Sequence, residues 1–151
     1  MRIEPLGTGE EPPMDLLLLA DPSEKLVSQY LKRGSCYVAK TEEAGVIGTY
    51  VLLPTRPDTA ELVNVAVDER RQGRGIGKAL VLHAVETARR EGYRTIEVGT
   101  GNSGIGQLAL YQKCGFRIVG VDFDFFVRHY DEPIVENDIP CRDMIRMCQD
   151  L

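Results

Sequence analysis

Asp68-Glu69-Arg70-Arg71-Gln72-Gly73-Arg74-Gly75-Ile76-Gly77-Lys78 joins the most evenly alternating stretch of the chain to its most regular helical one. Upstream, the alternation from Glu61 to Asp68 predicts a strand with Leu62, Asn64 and Ala66 on one face and Val63, Val65 and Val67 on the other. Downstream, Ile76, Leu80, Val81, Ala84, Val85 and Ala88 recur at helical spacing and predict a helix over 76–91, ended by Gly92. Between the two, Gly73, Gly75 and Gly77 stand at alternate positions, where backbone can come close to a bulky group. The first N–H groups of a helix have no partner within it, and the helix dipole makes them an anion site. Arg70, Arg71, Arg74 and Lys78 add positive charge, so the anion expected here is a phosphate or pyrophosphate. A glycine-softened turn carrying solvated arginines is the other reading, and these residues alone leave both open.

Outward from this loop the pattern is α+β. Arg2 to Leu6 reads as a strand, Met14 to Ala20 as a helix after Pro13, and Asp21-Pro22-Ser23-Glu24 as the start of a second helix capped by Asp21. Gly34 is the expected left-handed end of that helix. Ser35 to Lys40 and Val46 to Pro54 form an expected hairpin. Beyond the long helix come a strand over 95–98, a glycine-rich loop over 99–106, a short helix over 107–114, and two last strands over 116–126 and 141–147. The expectation is one domain over 1–151, a central mixed, mostly antiparallel sheet with helices on both faces.

Composition removes several function classes. The chain has 151 residues, 43% hydrophobic and 27% charged, with a formal net charge of −5. A general nucleic-acid binder needs a basic face, so none is expected. No apolar run approaches the ~20 residues that span a bilayer, and Met1-Arg2-Ile3-Glu4-Pro5 lacks a secretory h-region, which predicts a cytoplasmic protein with no membrane partner. The four cysteines form no Cys-x-x-Cys pair and there are two histidines, so no metal site and reduced thiols are expected. Lys78 is followed by Ala79 and the glycine spacing is wrong, which excludes a P-loop.

Gln72-Gly73-Arg74-Gly75-Ile76-Gly77 resembles the Gln/Arg-x-x-Gly-x-Gly/Ala signature of the GCN5-related N-acetyltransferases, the GNAT superfamily. Leu110-Tyr111-Gln112-Lys113-Cys114-Gly115-Phe116 is similar to a second segment of the same family, in the right order and on the right elements. The resemblance covers Leu62 to Val119 well. It implies acetyl-CoA as co-substrate, with its pyrophosphate on Gln72, Gly73, Arg74, Gly75, Ile76, Gly77 and Lys78. It implies backbone groups of Val65, Ala66 and Val67 along the pantetheine arm, and Tyr111 as the catalytic acid for the departing sulfur. The implied reaction is direct acetyl transfer to a primary amine on a small molecule or peptide. A non-catalytic acyl-CoA or metabolite-binding module is the alternative, and a homodimer stays open.

The chain departs from the family at two positions, Gly104 and Gln107, where many members carry Asn and Ala. Asn102 is then the nearest asparagine for the pantetheine amides, with a turn-forming role as the competing reading. Gly99-x-Gly101-x-x-Gly104 after a strand also matches a dinucleotide-binding fingerprint, with Asp124 twenty residues on. It is rejected because no full crossover helix follows and Asp124 falls inside the expected strand. Seven acids between Asp122 and Asp143, against Arg128 and Arg142, suggest an acidic wall for a cationic amine. Glu61, Asn64, Glu97 and Asp122 are candidates to hold the water that takes the amine's proton. His83, on the long helix, is expected to be a surface or half-packed residue.

Overall fold

Residues 1–151 are all described by a computed structural model. In chain order it comprises β1 (Arg2–Pro5), α1 (Met14–Ala20), α2 (Glu24–Arg33), β2 (Ser35–Thr41), β3 (Gly45–Arg56), β4 (Thr59–Val67), α3 (Ile76–Arg90), β5 (Thr95–Gly101), α4 (Ile105–Lys113), β6 (Arg117–Asp122), α5 (Phe125–His129), β7 (Val135–Glu136), β8 (Ile139–Pro140) and β9 (Met144–Asp150). Seven strands make one sheet in the order β1-β2-β3-β4-β5-β9-β6, and β7 pairs with β8 apart from it. Every pairing in the large sheet is antiparallel except β4 with β5. That parallel ladder runs only from Thr59–Thr95 to Leu62–Val98. β4 continues to Val67 and β5 to Gly101, so the two strands part and the sheet opens between them.

Each face of the sheet is covered. Leu80, Val81, Ala84 and Ala88 of α3 are fully buried against one face, joined there by Tyr111 and Phe116. Burial of a leucine or valine in this way contributes roughly 1.5–3 kcal/mol. On the opposite face α1 and α2 bury Leu17, Val27 and Tyr30 against Val51 and Leu53.

The simple alternation expected for β4 is interrupted. Leu52 pairs with Leu62 but Val51 pairs with Asn64, so Val63 is an extra residue, a β-bulge. Leu62, Val65 and Val67 therefore belong to the α3 side, while Val63 packs on the α1–α2 side and Asn64 bonds Leu17 and Tyr30 there.

Other expectations need local correction. Ser23, not Asp21, caps α2: its Oγ accepts from Leu26 N at 3.2 Å. Gly34 is extended (φ −101°, ψ 176°) rather than left-handed; space is its constraint, since a Cβ there would stand 2.9 Å from Leu52 O. The stretch 116–126 is not one strand. β6 stops at Asp122, Asp124 turns the chain with φ 61°, and α5 follows. The last strand begins at Met144 instead of Cys141.

The first three residues of the glycine-rich stretch, Gly99 to Gly101, are strand. A Cβ on Gly99 would strike Met144 Sδ, and one on Gly101 would strike Cys141 Sγ and approach Phe126. These glycines make room for packing, so the dinucleotide fingerprint is a coincidence of side-chain size. Gly101→Ala is expected to cost about 1–3 kcal/mol of stability through overpacking. Denaturant unfolding measures it, and an unchanged midpoint would contradict the packing role.

Candidate active site

A cleft of about 540 Å³ opens where β4 and β5 part. Its walls include Val65, Ala66 and Val67 of β4, the loop from Arg71 to Gly73, the start of α3 from Gly75 to Lys78, and Gln107, Leu110 and Tyr111 of α4. Gly73 (φ 79°) and Gly75 (φ 82°) are left-handed, a conformation that favours glycine. Ala79 is the first residue whose N–H bonds within the helix, to Gly75 O at 3.1 Å. The N–H groups of Ile76, Gly77 and Lys78 are thus left for another acceptor. No acid lies within ion-pair distance of Arg70, Arg71, Arg74 or Lys78.

The free edge of β4 faces the same cleft. Asp68 N–H donates to Ile47 O on β3, so by strand alternation Ala66 also turns its groups to β3, and Val65 and Val67 turn theirs to the opening. Gln72 Nε2 donates to Val67 O at 3.3 Å and ties the loop to that edge. Ala66 lines the cleft, but its backbone groups belong to the β3 ladder.

Tyr111 is 6% exposed and packs edge-on against Phe116 with ring centroids 5.9 Å apart. Burial pushes its hydroxyl up to about 12, so it stays protonated through the neutral range. No group of the chain hydrogen-bonds that hydroxyl, while the residue lines the cleft.

One expected contact lies elsewhere. Asn102 is outside the cleft: its Oδ1 accepts from Arg142 N (2.9 Å) and Asp143 N (3.0 Å), and its Nδ2 donates to Pro140 O (3.1 Å). It fixes the entry to β9. Arg74 is exposed and does not line the cleft. Leu19 and Ala20 of α1 do line it, although nothing in their sequence pattern signals this. Gln107, one of the departures from the family pattern, also lines it. A larger hollow of about 870 Å³ beyond Leu19 is walled by Glu11, Asp15, Asp68 and Glu69 with Arg70, the wrong charge for a phosphate.

On the α1–α2 side of the sheet a polar cluster borders the opening. Asp21 accepts from Tyr30 (3.1 Å) and Tyr130 (2.8 Å), and burial raises both phenols. Asn64 Nδ2 donates to Leu17 O (3.0 Å) and Tyr30 Oη (2.8 Å), while its Oδ1 is the one fully buried side-chain polar atom without a partner. The Glu61 side chain makes no hydrogen bond and no ion pair. Burial raises its carboxyl above the ordinary range, against the attraction of Arg146 and Arg56. Glu97, beside it in register, is paired with Arg56 at 2.7 Å.

Of the seven acids expected to form an acidic wall, two are ion-paired. Asp122 is paired with Arg128 (2.9 Å) and Arg146 (3.3 Å), and Asp124 with Arg142 (2.7 Å). Asp143 Oδ1 accepts from Asp124 N, and Glu136 from Ser103. His83 sits away from the cleft, half-packed, with Nδ1 2.8 Å from Tyr50 Oη. No helix is long and apolar enough to cross a membrane.

Residues 8–116 match the model of the acetyltransferase (GNAT) family. An uncharacterized N-acetyltransferase of Bacillus subtilis, YvbK, is 61% identical over 137 residues, which is 91% of this chain and 88% of YvbK. A GNAT family acetyltransferase from Elizabethkingia anophelis, solved with acetyl-CoA bound, is 47% identical and superposes with a TM-score of 0.96 over 99% of this chain and 97% of that one. A Bacillus subtilis acetyltransferase in complex with CoA is 58% identical, with a TM-score of 0.92 over 99% and 98% of the two chains.

Proposed function

The chain belongs to the acetyltransferase (GNAT) family, and from that premise we propose that it transfers an acetyl group from acetyl-CoA to a primary amine by direct attack on the thioester. Residues 1–151 are taken as one catalytic unit, because the core around α3 joins strands from both sides of the opening. One observation carries the reading: the unpaired N–H groups of Ile76 to Lys78, the free edge at Val65 and Val67, and the Tyr111 side chain meet in a single cleft.

In this reading Ile76, Gly77 and Lys78 hold the pyrophosphate with Gln72, Gly73 and Gly75, and Val65 and Val67 bond the pantetheine arm as an added strand. An N–H of that edge polarises the thioester carbonyl. The fold's contribution is to hold amine and thioester in line. An alkylamine with pKa near 10 is neutral in only about one molecule per thousand at pH 7, a cost of ~4 kcal/mol if left to solution. Glu61 is the unpaired carboxylate on the acceptor side, raised above the ordinary carboxylate range by burial, and takes the amine's proton directly or through a water. The new N–C bond forms as the C–S bond breaks, and Tyr111 donates to the departing sulfur. Asn102, whose amide serves the entry to β9, is left out of this assignment, while the exposed and unpaired Arg74 adds positive charge beside the pyrophosphate. Only Asp122 and Asp124 of the seven acids are ion-paired, so the stretch keeps an excess of negative charge that favours a cationic amine.

Release of CoA thiol against an amine panel tests the reading, and binding without turnover would favour the metabolite-binding alternative. The donor site has its own test. A Cβ on Gly77 would meet only Leu110 at 3.7 Å and Val67 at 3.8 Å, so the free protein tolerates a side chain there. Gly77→Val is therefore expected to fold and yet to lose micromolar-scale acetyl-CoA affinity by at least roughly tenfold, because the added methyls fill the path of the ligand. Calorimetry on the folded variant decides it; unchanged affinity would remove the donor-site assignment.

A further inference from the structure

Arg146 stands in β9 opposite Gly99 of β5 and opposite Gly120 of β6. A charged residue with glycine on both neighbouring strands has no cross-strand side chain beside it. On the Gly120 side nothing lies within 4 Å of where a Cβ would stand, and the atoms nearest the Gly99 position belong to the flexible Met144 side chain. The guanidinium rests 5.6 Å from the centre of the Phe125 ring. Of its five N–H donors, one nitrogen reaches Asp122, at 3.3 Å, and Asp122 is held more closely by Arg128 at 2.9 Å. The side chain keeps 39% exposure, so most of its fork is available.

Glu61 lies on the same face, two strands away, in register with Glu97 across β4–β5. Glu97 is neutralised by Arg56, which leaves Glu61 as the unpaired acid. Glu61 and Arg146 feel each other's charge but do not touch: no ion pair within 4 Å joins them. An unpaired carboxylate and an under-used guanidinium, held apart on one face beside the sheet opening, fit a ligand with the opposite pair of charges.

We infer that the acceptor is a zwitterion, an α-amino acid or close analogue, whose carboxylate is taken by Arg146 while its amino group is presented at Glu61. The inference rests on the acetyltransfer reading and names the substrate class for it. Arg146 is then a specificity-determining residue: its planar fork suits a carboxylate, which a single ammonium cannot match.

The experiment compares each proteinogenic amino acid with its α-amide and its decarboxylated amine, by CoA release from the intact protein. For the best acceptor, kcat/KM is expected to exceed that of the amide and the amine by roughly 10–100-fold, the range of a charged hydrogen-bonded contact. Arg146→Gln should remove most of that preference, Arg146→Lys should keep part of it, and acetyl-CoA affinity should stay within a few-fold for both. Equal turnover of carboxylate-free amines by the wild type would overturn the inference and leave acetyltransfer standing. So would a preference that survives Arg146→Gln. Release of CoA with no amine at all would count against the acetyltransfer reading instead. In that event, calorimetric binding of the amino acid against its amide to the CoA-loaded protein decides the inference, and equal binding would reject it.

Discussion

Tyr111→Phe should lower kcat by about 10–10³-fold while acetyl-CoA affinity changes by no more than a few-fold. The ring is buried against Phe116, and phenylalanine keeps that packing. Only the hydroxyl is lost, and no group of the chain depends on it. When the thioester breaks, the departing sulfur develops charge; its conjugate acid is comparable to a cysteine thiol at ~8.5. Burial pushes Tyr111 up to about 12, so it is a weaker acid than the thiol it faces. It therefore acts by holding its proton and donating a hydrogen bond to the developing thiolate, a contact worth most in the transition state. Equal losses in kcat and kcat/KM would mark such an interaction. Because the phenol titrates so far above neutrality, no fall in rate from Tyr111 is expected below about pH 10. Normal turnover by the variant would make Tyr111 a packing residue.

The elements with strong local patterns were legible in the sequence. The apolar face from Ile76 to Ala88, the loop glycines and the alternation of β4 predicted the strand, turn and helix that form the donor side of the cleft. What escaped was set by contacts far apart in the chain. The bulge at Val63 turns the faces of β4, and it arises from the β3 register, not from any residue type in β4. Gly99 and Gly101 look like a nucleotide loop until Met144 and Cys141 are seen to occupy the space above them. Asp21 has the composition of a helix cap, yet α2 starts at Glu24, so Asp21 accepts from Ser23 N and from Tyr130, 109 residues away, while Ser23 holds the cap position. The residue type and position of Asn102 suit the pantetheine amides, but its Oδ1 and Nδ2 bond the backbone at the entry to β9. The seven acids from Asp122 to Asp143 are legible as an acidic stretch, but their pairing is not, because one partner of Asp122 is Arg146 from β9.

Glu61→Gln should separate catalysis from stability in opposite directions. As the general base Glu61 must lose its proton before it can take one from the amine, so wild-type kcat/KM should rise with pH through a value above the ordinary carboxylate range. Glutamine cannot titrate, and the variant should lose that acid limb together with roughly 10²–10⁴-fold of its rate. Stability should move the other way. Burial raises the carboxyl in the folded state above its unfolded value. A group of this kind contributes stability below the unfolded value and loses it as pH rises through the folded one, so at neutral pH the buried charge is a cost. Glutamine removes the charge and keeps the shape. The two proteins are therefore expected to melt at similar temperatures in acid, while the variant melts higher at neutral pH. A variant that is slow because it is damaged would melt lower at every pH, so a low rate with a raised neutral-pH Tm is the signature of a functional carboxylate. A neutral-pH Tm below wild type would show that Glu61 serves the fold, and the base would have to be sought elsewhere on the face that Asn64 and Tyr30 share with it.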